Sequence, residues 1–233
     1  LSAAVSGKLT EEWREKHDHS QKIFKTKILE ARRQAWEEAE LARLVASKKA
    51  TTNNKWRNKY KHPDSVLPES CFAIPIRWEW SNLGELSWSV KDGPHYSPKY
   101  SESGIPFISG GNISPRGIDF SNCKYISLEL HEELSKRCKP EIGDILYTKG
   151  GTTGIAYFNT EEKDFNVWVH VAVIKTTNIV NGKYLQNALN SKHCYDQSQN
   201  YTHGVGNQDL GLTRMIKITI PIPPLNEQTE IVR

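Results

Sequence analysis

The sequence has little from which to build an extracellular or membrane protein. Its four cysteines, Cys71, Cys123, Cys138 and Cys194, stand far apart in 233 residues and form no C-x-x-C pair. That spacing argues against a disulfide framework or a zinc ribbon and suits a reduced, cytoplasmic chain. No apolar run approaches the ~18 residues needed to span a bilayer, and no basic-then-apolar leader opens the chain. The first residue is Leu1 rather than Met, so a fragment of a longer protein is expected. Counted with Gly in place of Tyr, the apolar fraction is about 40%, below the ~45–50% usual for globular chains. Some of the chain is therefore expected to lie outside a packed core. At ~150 residues per domain, the length suits one large domain, or one domain with an appendage.

The reactive sets of common enzymes are missing too. There is no G-x-x-x-x-G-K-[ST]; Lys149-Gly150-Gly151-Thr152-Thr153-Gly154 has suitable residue types in the wrong order for a phosphate cradle. No G-x-G-x-x-G opens a helix after a strand, no Asn-Pro-Pro-aromatic segment of the adenine-methylase kind occurs, and no G-x-S-x-G elbow is present. Pro63-Asp64 and Glu161-Glu162-Lys163 imitate a metal-nuclease set, but both lie in polar, loop-like sequence about 100 residues apart. His17 and His19 lack a third ligand nearby. His170, on a predicted strand face, reads as a satisfied core residue rather than a base.

What is present is an uneven charge. The whole chain is +4, but residues 1–61 hold 15 Lys+Arg and 8 Asp+Glu, whereas residues 62–233 hold 16 and 19. A charge of +7 thus sits on the first quarter and −3 on the remainder. The first quarter reads as helical. Thr10 before Glu11-Glu12-Trp13 predicts an N-cap with acids in the first turn. From Gln21 to Ser47 there is no Gly or Pro, and Ile28, Ala31, Ala35, Ala39, Ala42 and Val45 recur at helical spacing with Trp36 on an adjoining edge. Such a stripe needs a surface to cover it. Lys55–Lys61 is basic with Trp56 and Tyr60 interleaved, and His62-Pro63-Asp64 punctuates a boundary.

Residues 66–233 read as mixed α and β. Predicted strands are Ile105–Ser109, Ile145–Thr148, Ile155–Phe158, Val167–Ile174 and Met215–Ile220, with Lys149–Gly154 as the loop of a hairpin. Both faces of Val167–Ile174 are apolar, so a central strand covered on both sides is predicted. Ser127 is placed to cap a helix carrying Leu130, Leu134 and Cys138, Lys183–Lys192 reads as a second helix, and Asn226-Glu227-Gln228 as the start of a third.

The strands are joined by polar loops that contain glycine: Ser109-Gly110-Gly111-Asn112, Lys149–Gly154, Tyr201–Gln208, and Asp92-Gly93-Pro94-His95-Tyr96. Groove reading in DNA uses these groups: Asn or Gln for adenine, Lys for guanine, Thr methyl for thymine. Ser, Thr and glycine-turn amides can hold phosphates.

The order of motifs carries a resemblance. Gly104-Ile105-Pro106-Phe107-Ile108-Ser109-Gly110-Gly111-Asn112-Ile113 precedes Gly143-Asp144-Ile145-Leu146-Tyr147-Thr148-Lys149-Gly150-Gly151. Gly204, Gln208 and Leu210 follow, and then Ile220-Pro221-Ile222-Pro223-Pro224-Leu225-Asn226-Glu227-Gln228. Over about residues 66–233 this resembles the target recognition domain of a type I restriction-modification DNA specificity subunit. The Pro-Pro-Leu-x-Glu-Gln segment is its most specific part. Residues 1–14 resemble the end of the family's long spacer helix, and Ala35–Leu41 the basic helical segment found after it in some members.

The resemblance implies an α+β fold: a mixed, twisted β-sheet with short helices, preceded by a helical segment. The expected division is a spacer end and basic linker at 1–61, a recognition domain at 66–224 and the start of a conserved spacer helix at 225–233. It implies reading of one half of a bipartite site in double-stranded DNA. Methyltransferase subunits and a motor-nuclease subunit would be the partners, with no cofactor, metal or catalysis in this chain and no membrane. A second recognition domain is the better match to the family order. The family's base contacts vary with the sequence read, so loop chemistry selects the candidates: Asn112, Lys149, Thr152, Thr153, His203, Asn207 and Gln208, with His95 and Tyr96. Gly110, Gly111, Gly150, Gly151 and Gly204 are expected to shape the turns. The net −3 leaves phosphate neutralisation to be supplied by positive groups converging on one face or by the partners; the second is the expectation.

Overall fold

A computed structural model describes residues 1–17, 25–48, 53–65, 71–206 and 208–233. The chain is mixed helix and sheet, as expected. Helices α1 (Ser2–Ser6), α2 (Glu11–Lys16) and α3 (Lys25–Ala46) come first, followed by a 3₁₀ segment, Asn54–Lys59. Then come β1 (Glu79–Asn82), α4 (Leu83–Leu86), β2 (Ser87–Asp92), β3 (Ile105–Ile108), β4 (Ile113–Ser114), β5 (Gly117–Ile118), β6 (Lys124–Ile126) and α5 (Leu128–Ser135). The remainder holds β7 (Ile145–Gly150), β8 (Thr152–Phe158), β9 (Asn166–Val167), β10 (Val171–Thr176), α6 (Gly182–Leu189), α7 (Lys192–Tyr201), α8 (Leu212–Met215), β11 (Thr219–Ile222) and α9 (Leu225–Ile231).

The centre is a four-stranded sheet in the order β2-β10-β7-β8, antiparallel throughout. Alternation along β10 builds two cores at once. Ala172 and Ile174 point into a cluster with Ile145, Tyr147, Ala156 and the inward faces of α6 and α7. Val171 and Val173 point the other way, to Leu146, Tyr157, Phe165 and Val167. A strand covered on both faces has to be apolar at every position, and Val171–Ile174 is. The long apolar run, however, is two strands. Val171 N–H closes a turn on Trp168 O at 2.9 Å, so Asn166–Val167 leaves to pair in parallel with β3 while Val171–Thr176 enters the central sheet.

Side chains cap the helix starts, at Ser127 as the sequence predicts, while the single helix expected at Lys183–Lys192 is broken at Asn190–Ser191 into α6 and α7. The Ser127 side chain accepts from Leu130 N–H to start α5, Asn181 does the same for α6 and Ser191 for α7. Three other boundaries differ from expectation. Lys149–Gly154 is almost no loop: Lys149 and Gly150 extend β7 and Thr152–Gly154 begin β8, leaving Gly151 at the bend with φ 70°. Met215 closes α8 rather than opening a strand, and β11 starts at Thr219 to pair with β1. Thr10 does not cap α2; its hydroxyl donates instead to the Glu227 carboxylate at 2.7 Å.

The helical stripe of α3 finds part of its cover within the chain. Ile28 is fully buried in the main core beside Leu83 and Leu86, and Arg32 donates to the carbonyls of Gly84 and Ser87. Trp36 packs on Trp56 and Tyr60 of the basic segment. Further along, Ala42 and Val45 are exposed. The Gln21–Phe24 part of the expected helix and Thr51-Thr52 lie outside the described residues. Among the described residues, no helix is long and apolar enough to cross a membrane.

Candidate nucleic-acid interface

The four polar loops converge at one end of the β7–β8 hairpin. His203 and Asp209 pair through two backbone bonds, and Gln208, Asp209 and Leu210 lie against β7. Leu210 N–H donates to Lys149 O at 2.8 Å, and Gly151 N–H to Gln208 O at 3.1 Å. On the other side, Lys149 N–H donates to His170 O. The 110–112 turn packs so closely that a Cβ on Gly110 would sit 3.2 Å from Gly150 O.

Lys149 ties this assembly together. Its side chain is 5% exposed, and Nζ donates to Val169 O and Asp209 Oδ1, both at 3.0 Å, and lies 3.5 Å from Asp92 Oδ2. Asp92 is equally buried and also takes Arg137 Nη2 at 2.8 Å and His95 Nε2 at 3.1 Å. The loops at 92–96, 149–154 and 203–209 are thus linked through one buried ammonium. Ion pairs so enclosed recover their desolvation cost only when every donor and acceptor is matched, so the network fixes geometry more than it adds stability. Burial, with Lys149 as neighbour, holds the His170 imidazole below its ordinary value.

The candidate residues divide by environment. Lys149 is enclosed. Asn112 is buried and spends its amide on Ser109 N–H and hydroxyl and on the carbonyls of Asp119 and Asn122. Thr153 is buried, and its hydroxyl oxygen accepts from Gln199 and Thr202. Thr152, His203, Gln208, His95 and Tyr96 are exposed on or beside the same rim. Asn207 lies outside the described residues. Among the turn glycines, Gly151 and Gly204 have positive φ, Gly150 is pressed against the His170 ring, and Gly111 meets nothing. His95 and Tyr96 line a cavity of about 420 Å³ with Arg137, Cys138 and Asn166.

Asp92, Asp209 and Arg137 are the functional candidates that loop chemistry missed. Asp92 had a signal: it alternates with the half-buried apolar Trp88 and Val90 along β2, and an acid continuing such a stripe implies a buried partner. Of the residues weighed for chemistry, His170 is in the turn before β10 rather than on a strand, its ring tilted at 44° to that of Trp168 with centroids 4.4 Å apart. Tyr157 donates to Glu161, and Asp64 is exposed. His19 lies outside the described residues. Burial pushes the Cys138 and Cys194 thiols up to about 12, the range of inert core cysteines. Among the described residues, no group of three or more His, Cys, Asp or Glu could hold a metal ion.

A family model for the type I restriction modification DNA specificity domain matches residues 75–233, more than half of the chain and all four loops. The chain belongs to that family. Its fold is similar to solved specificity subunits. One is the S subunit from M. genitalium, with 16% identity, TM-score 0.49, and coverage of 72% of this chain and 40% of that one. Another is the HsdS subunit from Thermoanaerobacter tengcongensis, with 17% identity, TM-score 0.44, and coverage of 97% and 46%. A third comes from work on complex assembly and conformational transition in the type I R-M system, with 20% identity, TM-score 0.46, and coverage of 89% and 46%. The chain spans less than half the length of these solved chains. Comparison with curated proteins gives no match. As a DNA specificity domain, the chain carries polar, glycine-containing loops at its hairpin end.

Proposed function

We propose that this chain reads one half of a bipartite DNA site for a type I restriction-modification complex. The convergence of four polar loops on a single rim, tied beneath by Lys149, supports this reading. Thr152, His203 and Gln208 on the hairpin side, with His95 and Tyr96 across from them, are the side chains free to meet base edges. Lys149, Asn112 and Thr153 hold that rim rather than touch DNA. The helices α1 and α9, at the two ends of the chain, are the spacer portions that would dock methyltransferase and motor-nuclease subunits. Those partners would supply S-adenosylmethionine chemistry, ATP-driven movement and cutting, so this chain has no catalytic step of its own. Adenine methylation in a duplex needs the base extruded; this domain would keep the complex in register while its partner does so.

The test is methylation mapping with the full subunit and its methyltransferase. Changing Thr152, His203 and Gln208 together to Ala should relax one half of the methylated motif and leave the other half and the gap intact. An unchanged motif at undiminished efficiency would refute the assignment. Cleavage of DNA by the purified chain with Mg²⁺, lost on changing Asp64 or Glu161, would instead favour a nuclease.

A further inference from the structure

The rim has little positive charge to spare, because Lys149 is already shared between two carboxylates. A DNA reader must neutralise phosphates somewhere. A groove of about 510 Å³ runs between α3, the open edge of the central sheet at β2, and the turn after α5. Six cations line it: Arg43, Lys91, Lys136, Arg137, Lys139 and Lys175. Two acids, Glu40 and Glu141, do so as well, and Trp36 and Trp88 supply apolar wall.

We infer that this groove seats the DNA phosphate backbone that flanks the bases read at the rim; the inference rests on the reading of the chain as a DNA-recognition domain. Three observations carry it. First, Lys91 and Lys136 are exposed, and among the described residues no carboxylate pairs with either. A lysine on an open sheet edge also guards against strand pairing, which accounts for Lys91 but not for Lys136 beyond the end of α5.

Second, two of the remaining cations, Lys139 and Lys175, hold exposed acids that a phosphate can replace. Lys139 pairs with Asp164, 57% exposed, and Lys175 with Glu141, 62% exposed, as well as with buried Asp144. Arg43 pairs with Glu40 and Arg137 with Asp92. Exposed pairs of the first kind contribute little, less than a charge-assisted bond to a phosphodiester. Third, the groove is continuous with the rim. Arg137 lines both it and the cavity that holds His95 and Tyr96, and Arg137 binds the same Asp92 that receives Lys149. A strand leaving the rim therefore meets a cationic track along β2 towards α3.

The experiment compares K91E/K136E with a control of equal charge change, K183E/K217E, whose lysines are exposed and outside the groove. Both are made in the full subunit assembled with its methyltransferase partner. DNA affinity is measured against salt concentration, and methylated sites are mapped. The groove variant should lose about two phosphate contacts, lowering the salt slope by ~1.8 and the affinity by roughly 10–100-fold at low salt, relative to the control. The methylated sequence should not change. Equal slopes and affinities in the two variants, or an altered motif in K91E/K136E, would overturn the inference. Failure of the broader reading is distinguishable, because replacing the rim residues of the parent complex would then leave the motif untouched.

Discussion

Arg14 Nη1 lies 2.6 Å from Glu227 Oε1, joining α2 to α9 across 213 residues of sequence. The same carboxylate, 1% exposed, accepts from the Thr10 hydroxyl and from Trp78 Nε1 at 2.9 Å. The neighbouring Gln228 accepts from Asn181 N–H and donates to the carbonyls of Ile179 and Pro223. The Glu-Gln of the Pro-Pro-Leu-x-Glu-Gln segment is therefore a clamp: Glu227 fastens α9 to α2 and the turn before it, and Gln228 fastens it to the segment before α6. Glu227→Ala strands three donors in a closed site and should destabilise the chain by about 3–5 kcal/mol. Arg14→Ala should cost less, since Arg14 is partly exposed. In urea unfolding, a loss below ~0.5 kcal/mol for Glu227→Ala would show that the clamp does not hold the ends together.

Lys149 offers a sharper contrast, because two roles for it predict opposite results. A lysine that reads guanine could be removed without loss of stability while the half-site changed. A lysine enclosed by Asp92, Asp209 and Val169 O leaves buried charge behind when it goes. Lys149→Met should lower stability by about 3–5 kcal/mol and should weaken methylation at all sites without creating a new motif. Retained melting temperature with a changed motif would return Lys149 to the base-reading set.

Much of the architecture is legible in the sequence, and the misreadings share a cause. The two-faced strand, the Ser127 cap and the helix at Glu227 follow from alternation, capping chemistry and proline punctuation, all of which are local. The turn at 168–170 is not local: Val167 and Val171 satisfy the same alternation, and only pairing of Val167 with Ile108 splits them between sheets. Likewise Lys149 and Asn112 have the side chains of base readers. In the fold their polar atoms already bond to Asp92, Asp209, Asp119 and Asn122 from elsewhere in the chain. Polar type signals a bond; only the fold decides whether the partner is protein or DNA.

Two glycines separate close approach from mere presence in a turn. A Cβ on Gly93 would fall 1.9 Å from the carbonyl oxygen of Val167, a backbone atom that cannot swing aside. Gly111, in a turn of similar composition, would meet nothing within 4 Å. Gly93→Ala should destabilise by about 3 kcal/mol or prevent folding, as overpacking against a fixed neighbour does. Gly111→Ala should stay within about 0.5 kcal/mol of the parent. Comparable midpoints for the two variants in thermal melts would contradict the packing at 93.

Acidification should loosen the chain through two histidines. His170, held low by burial and the nearby Lys149 charge, and His193, held low by burial against its bond to Thr219 O, are both harder to protonate folded than unfolded. The ordinary value is 6.5. A histidine depressed in the folded state contributes stability that is fully present above that value and is lost as pH falls through it towards the folded value. Asp144, raised by burial against its bond to Lys175, acts in the opposite sense lower on the scale. Single variants therefore isolate the effect better than the shape of one profile. The melting temperature of the parent should fall between about pH 7 and pH 5, and His170→Gln and His193→Gln should each flatten that fall. If both variants reproduce the parent slope, neither imidazole is coupled to folding, and the enclosure of His170 beneath the rim is looser than its contact with Trp168 indicates.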